Sequence, residues 1–234
     1  DGLTFNYAYL NQVNRIFGSG AHNPLPNAAD VGSNTNLFNL SYTGIEGWTL
    51  GGYAYLMNFD GLPSWDNDTY GLSAKTALGG FTWYGEGAYQ ENETGDNAWY
   101  AHGTVSKTFG GHTLTLGMEL LDDGFRTPLA TLHAFNGFAD AFVARRTNGT
   151  HGGLTNPYLS HSMPIFWDIK WTNVLHAFGD NALDASYGWE YDTVFAKKFD
   201  EHFTGLIKLA FFDSHDERKY PTATRCSLEV SYTF

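Results

Sequence analysis

The sequence predicts an all-β protein: an antiparallel transmembrane β-barrel of about 12 strands, with residues 1–234 as a single barrel domain. Three observations carry this. Apolar and polar residues alternate with period two in segment after segment, the spacing of strands with unlike faces. The connections between these segments alternate between tight and long. Aromatic residues reach 17 % while mean hydropathy is only -0.31. A barrel shows lipid to every second residue, so its mean hydropathy stays near that of a soluble protein. No stretch approaches the roughly 18 consecutive apolar residues of a membrane helix.

The elements follow in order. The first strand, residues 2–17, sets Leu3, Phe5, Tyr7 and Tyr9 against Thr4, Asn6, Ala8 and Gln12. A long Gly/Asn/Pro-rich loop covers 18–33, and strands at 35–43 and 48–59 are joined by a tight turn at 44–47. A loop at 60–67 precedes strands 68–76 and 81–90, which meet at Leu78-Gly79-Gly80. An acidic loop, 91–97, leads to strands 98–107 and 113–121 around Phe109-Gly110-Gly111. The longest irregular stretch, about 122–153, is followed by two strands within 154–178 that turn near Met163-Pro164. Strands 183–199 and 203–213 are joined through Asp200-Glu201-His202, and a polar loop, 214–224, precedes the closing strand. Short turns on one rim and longer loops on the other match periplasmic turns and extracellular loops, with both termini on the periplasmic side.

Charge must avoid the lipid face, because Arg or Lys at the bilayer midplane costs about 2–4 kcal/mol. The polar parity therefore defines the expected pore lining: Lys75, Glu86, Gln90, Glu119, Asp168, Lys170, Glu190, Asp192, Lys208, Arg225 and Glu229. Acids outnumber bases along it, as they do in the whole chain, whose net charge is -12. A lumen that favours cations or is nearly neutral follows. Within 122–153, Phe125, Leu129, Leu132, Phe135, Phe138 and Phe142 are too apolar for an exposed loop. Long loops with their own apolar packing tend to be functional, so this one is expected to fold inward as a constriction carrying Arg126, Thr127, His133, Asn136 and Asp140.

Other constellations carry less. Asp122, Asp123, His133 and Asp140 lack the spacing of a zinc site, so no metal and no cofactor are expected. The acids Glu86, Glu119, Glu190 and Glu229 read as lining of a wet pore rather than as a glycosidase pair. Ser160-His161-Ser162 is the one cluster that could suggest a hydrolase, and it lies near a short turn. Arg145-Arg146 and Arg218-Lys219 are small basic pairs in loops, able to meet lipopolysaccharide phosphates or simply solvated. The single cysteine, Cys226, forbids an intrachain disulfide and sits on the apolar parity of the last strand.

The last strand, Leu228-Glu229-Val230-Ser231-Tyr232-Thr233-Phe234, resembles the C-terminal strand of bacterial outer-membrane barrels, which the barrel assembly machinery reads. A closer resemblance lies in Phe125-Arg126-Thr127-Pro128-Leu129-Ala130-Thr131-Leu132-His133-Ala134-Phe135-Asn136-Gly137-Phe138-Ala139-Asp140. This segment is similar to the signature loop of the bacterial alginate-export family of outer-membrane porins. Tyr9-Leu10-Asn11-Gln12-Val13-Asn14-Arg15, Thr69-Tyr70-Gly71-Leu72, residues 84–90 and residues 187–192 resemble the same family in order. Family members are usually longer. The chain is thus expected to be a processed mature protein or a piece of a longer one: the C-terminal part of a larger barrel, or a shortened relative closing on itself.

The resemblance implies residence in the outer membrane of a Gram-negative bacterium, among lipid and lipopolysaccharide, with no nucleic-acid partner. It implies a porin that passes polar solutes or a polysaccharide by passive diffusion past an internal constriction, and no enzyme. A barrel-embedded hydrolase acting on lipid or polysaccharide, and a non-conducting structural barrel, are the alternatives.

Overall fold

Strand pairing follows chain order from one end of the chain to the other. The computed structural model describes residues 2–14, 30–129, 136–142 and 152–234. Within these, twelve strands form one antiparallel sheet in which each strand neighbours the next. They are β1 (Leu3–Asn14), β2 (Asp30–Tyr42), β3 (Trp48–Met57), β4 (Asn67–Leu78), β5 (Phe81–Asn92) and β6 (Ala98–Phe109). They continue as β7 (His112–Leu121), β8 (Leu154–Pro164), β9 (Lys170–Gly179), β10 (Ser186–Lys198), β11 (Phe203–Ser214) and β12 (Ala223–Tyr232). A shortened barrel closing on itself would pair β1 with β12, and no such pairing occurs among the described residues.

Turn chemistry sets the order. The β4–β5 turn is Gly79-Gly80 at φ 62° and 76°, and the β6–β7 turn is Gly110-Gly111 at φ 53° and 83°. A two-residue hairpin whose central residues both have positive φ follows the twist of the strands, and glycine adopts it without a Cβ penalty. All tight turns lie on one rim with both ends of the sheet, and the longer connections lie on the other.

Boundaries differ from expectation at a few points. The strand expected at 35–43 begins at Asp30, where Val31 and Thr35 are fully buried. The turn expected at Met163-Pro164 falls at 165–169, around a 3-10 turn, Phe166–Asp168. Trp167 and Asp168 there have φ 60° and 57°, a left-handed pair that ends the strand. Asp168 is therefore a rim residue in a turn, not part of a strand wall. The start expected at Leu183 moves to Ser186, because Leu183 has φ 60° in a turn closed on Asp180. Residues 15–17, expected in the first strand, lie outside the described residues.

The two faces are chemically unlike. Outward, Leu72, Leu116, Leu159, Leu175, Ile207 and Leu228 stand exposed along the middle of their strands. Aromatic rings flank this band. Trp48, Phe81, Trp83, Phe109, Phe203 and Tyr232 stand near the tight-turn rim, and Tyr70, Tyr89, Trp99 and Trp189 near the other. Phe81 and Tyr89 lie eight residues apart on β5, about 27 Å along the strand. An apolar band of about 25 Å between aromatic girdles is the outer surface a barrel presents to lipid. Outward charges sit at the rims: Lys107 lies 4.7 Å over the Phe81 ring, and Lys197 donates to the Trp167 carbonyl at 2.8 Å.

The buried core lies on the other face, toward the long loops. Ala88, Ala98, Leu121, Leu154, Phe178 and Phe212 from β5 to β11 pack with loop residues Phe125, Ala139, Phe142 and Tyr220. A second cluster joins Val31 and Met57 to Phe59, Leu62 and Trp65 of the β3–β4 loop, with Leu129 packed against it. Two loops thus turn inward and meet.

Candidate functional site

The inner face carries the charges. Its residues follow from register: Glu86 opposes His102, His102 opposes Glu119, and Glu119 opposes Asn156, one polar row across β5 to β8. Gln90, Glu190, Asp192, Lys208, Arg225 and Glu229 share this face, as do Lys75 (opposite Tyr84) and Lys170. Near β12, Lys208 Nζ lies 3.3 Å from Glu229 Oε2. Of the expected lining, Asp168 alone is displaced to the rim.

Aromatic donors hold the carboxylates. Tyr53 donates to Glu86 Oε1 at 2.7 Å, Tyr84 donates to Oε2 of the same side chain, and Tyr100 donates to Glu119 Oε1 at 3.1 Å. His102 Nε2 is 2.9 Å from the Tyr158 hydroxyl. Tyr53 and Tyr158 lie across Gly71 and Gly117 of the neighbouring strands, where a Cβ would enter their rings. The absent side chains are what let these phenols lie along the wall.

The loop after β7 is fastened to this wall at two places. At one end, Gln90 is fully buried and grips the backbone of Arg126. Its Oε1 accepts the Arg126 N–H at 2.7 Å and its Nε2 donates to the Arg126 carbonyl at 2.9 Å. The Nε2 group also reaches Thr69 Oγ1 at 2.8 Å. The Arg126 guanidinium donates to the Thr94 carbonyl in the β5–β6 loop. Burial lowers its pKa from the usual arginine value, and nearby Asp66 opposes that shift. Asp66 is itself raised by burial, partly offset by a hydrogen bond from the Phe59 N–H.

At the other end, Glu190 Oε1 accepts the Ala139 N–H at 2.7 Å and Asp192 Oδ2 accepts the Phe138 N–H at 3.2 Å. Asn136 accepts from Asn156 at 3.3 Å, and His176 links Asn156 Oδ1 (3.0 Å) to Asp192 Oδ2 (3.5 Å). Arg225 of β12 lies 2.5 Å from Asp140. Gly137, at φ 84°, sits directly on the Glu190 carboxylate. The Arg225–Asp140 bond is charge-assisted, a type roughly twice as strong as a neutral hydrogen bond. His133 lies outside the described residues, as do Arg145 and Arg146.

Phe142 anchors the segment. It is 1 % exposed and packs against Phe178, Tyr187, Phe212 and Tyr220 at ring distances of 4.7 to 6.2 Å. Truncating a buried Phe costs about 3–5 kcal/mol. Phe142→Ala should therefore free residues 136–142 while the strands stay paired. Limited proteolysis should cut the variant in this segment without loss of the β circular-dichroism signal; unaltered resistance would show that the anchor lies elsewhere.

Between the loop and the strands lies a cavity of about 600 Å³. Its walls come from β2 to β7, from Leu37 to Leu121, and its roof is Phe125 to Leu129 with Asn136. Residues five strands apart facing one cavity require the sheet to curl around it. Tyr53 and Tyr55 line it as a stacked pair with ring centroids 4.8 Å apart, and Tyr100 stacks on Phe125 at 5.5 Å.

Sequence reading did not single out Tyr53, Tyr55, Tyr100, His102, Asn156, Tyr158 or His176. Parity could have marked several, since Tyr100 and His102 share the polar face of β6. It placed a loop at 60–67 and assigned it no inward role, although Phe59, Leu62 and Trp65 recur at intervals of three. Ser160 and Ser162 face inward and His161 outward, where it meets His112 Nδ1 at 2.9 Å, so this triplet forms no Ser–His pair. Among the described residues no group of three or more His, Cys, Asp or Glu is placed to hold a metal ion.

Comparison with known structures shows what this wall resembles. The chain superposes on OccK9 (OpdG) of Pseudomonas aeruginosa with a TM-score of 0.65 at 18 % identity, covering 99 % of this chain and 62 % of that one. The outer membrane protein opdK of the same organism gives 0.64 at 14 % identity, over 99 % and 66 %. Acinetobacter baumannii OccAB4 gives 0.63 at 11 % identity, over 99 % and 61 %. The likeness is one of fold. The twelve strands correspond to about three-fifths of each such chain. No protein-family model and no curated protein matches the chain. Neither the fold nor these structures assigns it to the alginate-export family.

Proposed function

We propose that the chain forms the wall of an outer-membrane channel of a Gram-negative bacterium, passing polar solutes or a polysaccharide by passive diffusion. One observation carries this reading: a loop is fastened by buried polar bonds across the charged inner face of a sheet whose outer face is apolar. A structural barrel gains nothing from a cavity lined with carboxylates, whereas a pore needs a polar path with a narrow point. The fold shared with the outer membrane protein opdK supports the location. The lipid-facing band and girdles fit a bilayer flanked by lipopolysaccharide.

Membership of the alginate-export family is the finer reading, supported by residues 125–140 and by their inward position where they are described. For a polyanionic cargo the inner face offers Lys75 and Lys170, since Arg225 and Lys208 are each paired with an acid. Glu86 and Glu119 face the cavity.

Reconstitution in planar bilayers tests the channel. Discrete open steps are expected, and removal of residues 125–142 should raise their size clearly. A folded, membrane-inserted protein that gives no steps would defeat the channel reading. Unchanged steps after the deletion would place the loop outside the conduction path.

A further inference from the structure

The cavity under the loop joins two features. One is a wall of aromatic rings: the Tyr53–Tyr55 stack and the Tyr100–Phe125 stack both line it. The other is a pair of carboxylates on the same wall, Glu86 and Glu119. The two acids differ in how far they are satisfied. Both Glu86 oxygens accept phenolic hydrogens, from Tyr53 and Tyr84. Glu119 is only 8 % exposed, and its Oε1 accepts from Tyr100. Its Oε2 has no hydrogen-bond partner among the described residues, and the residue lines the cavity.

A carboxylate oxygen that opens on a cavity and meets no protein donor is free to accept from a positive or donor group. The lining holds one cation, Arg126, whose Nη2 donates to the Thr94 carbonyl in the β5–β6 loop and whose Nη1 is buried without a hydrogen-bond partner. Lys75 opposes Tyr84, one step nearer the tight-turn rim than Glu86. His102 stands between the two acids in the polar row and is engaged by Tyr158. Two carboxylates and the negative faces of the rings thus stand against one guanidinium, so the charge of the lining is negative.

We propose that this cavity is a binding site for small organic ammonium solutes, held by Glu119 and Glu86 and by the tyrosine faces. The inference rests on the channel reading for its biological meaning, since such a site would select which solutes pass the constriction. The chemistry is that of an aromatic cage: a cation over a ring face is attracted by the ring's negative quadrupole, more strongly where water is excluded. A nearby carboxylate adds Coulombic attraction that a screened, wet lumen would not provide. A volume of about 600 Å³ accepts a choline-sized head with its substituents and excludes a folded polymer. Shape alone would admit a neutral molecule of the same outline. Charge is what the acids discriminate.

The test uses the purified protein in detergent, with choline as probe and 3,3-dimethylbutanol, its uncharged isostere, as control. Calorimetric titration should show saturable choline binding at least tenfold tighter than the isostere. Glu119→Gln should weaken choline binding roughly tenfold while leaving the isostere unchanged, and Glu86→Gln should weaken it less. Heat-modifiable migration on gels confirms that each variant is folded; if Glu119→Gln fails that check, Glu86→Gln and the isostere comparison still decide. Equal binding of choline and isostere, or no choline binding, overturns the proposal. So does choline binding unchanged in a folded Glu119→Gln. Conductance measured in parallel separates the two readings. Choline-dependent interruptions of the open current support both. Open steps with no choline binding leave the channel standing without the site, and choline binding without open steps leaves the site standing without the channel.

Discussion

Gly137→Val is expected to release the loop after β7 from the wall and, on the channel proposed above, to raise single-channel conductance. Gly137 has φ 84°, a backbone conformation that a β-branched residue adopts only under strain, and a Cβ there would collide with both Glu190 carboxylate oxygens. Strain of this kind costs about 1–3 kcal/mol. That shifts the ratio of docked to free loop by roughly 5- to 150-fold. The clash falls on the group that receives the Ala139 N–H, so the substitution also breaks the bond that holds the loop down. Larger and noisier open steps should follow, with no change in how the barrel migrates on unheated gels. Glu190→Gln separates strain from hydrogen bonding: the amide oxygen still accepts from Ala139 and conductance should change much less. Equal, wild-type conductance in both variants would show that the loop does not narrow the path.

Leu116→Arg should impair folding into a bilayer by about 2–4 kcal/mol, the cost of a cation at the lipid midplane. Leu116 lies mid-strand on β7, outward-facing and 59 % exposed. In a protein bathed in water, a substitution at so open a position would stay within about 0.5 kcal/mol. The two environments therefore predict opposite outcomes for one substitution. Thr115→Arg is the internal control, because the neighbouring residue faces the inner wall and should be tolerated. Reversible urea unfolding in lipid reads the difference. Equal stability of the two variants would mean that the apolar band does not meet lipid.

Strand existence and facing were legible because both are local. Period two follows from backbone geometry, so Trp83 and Glu86 take opposite faces of β5 wherever that strand is placed. Glycine pairs mark tight turns because only glycine enters them freely, as at 79–80 and 110–111. Where such a signal was absent the boundary moved: nothing in Met163-Pro164-Ile165 announces that Trp167 and Asp168 take left-handed conformations, and Asp168 went to the rim with them. The inward fold of the β3–β4 loop was not legible for a related reason. Its polar residues suggested solvent, while Phe59 and Trp65 bury themselves against β2.

The sequence by itself determined a twelve-strand antiparallel order, the two unlike faces and an apolar loop that could not remain in water. Each is a consequence of residue spacing and of the cost of exposing or burying a side chain. The tertiary structure alone decided which distant residues share the site. Glu86, His102, Glu119 and Asn156 form one row only because four strands pair in a particular register, and a slip of one residue would turn an entire strand over. Gln90 meets Arg126 across 36 residues, and Glu190 meets Ala139 across 51. Such contacts are set by how the sheet curls and where the loop lands, and no local pattern encodes a meeting between residues so far apart in the chain.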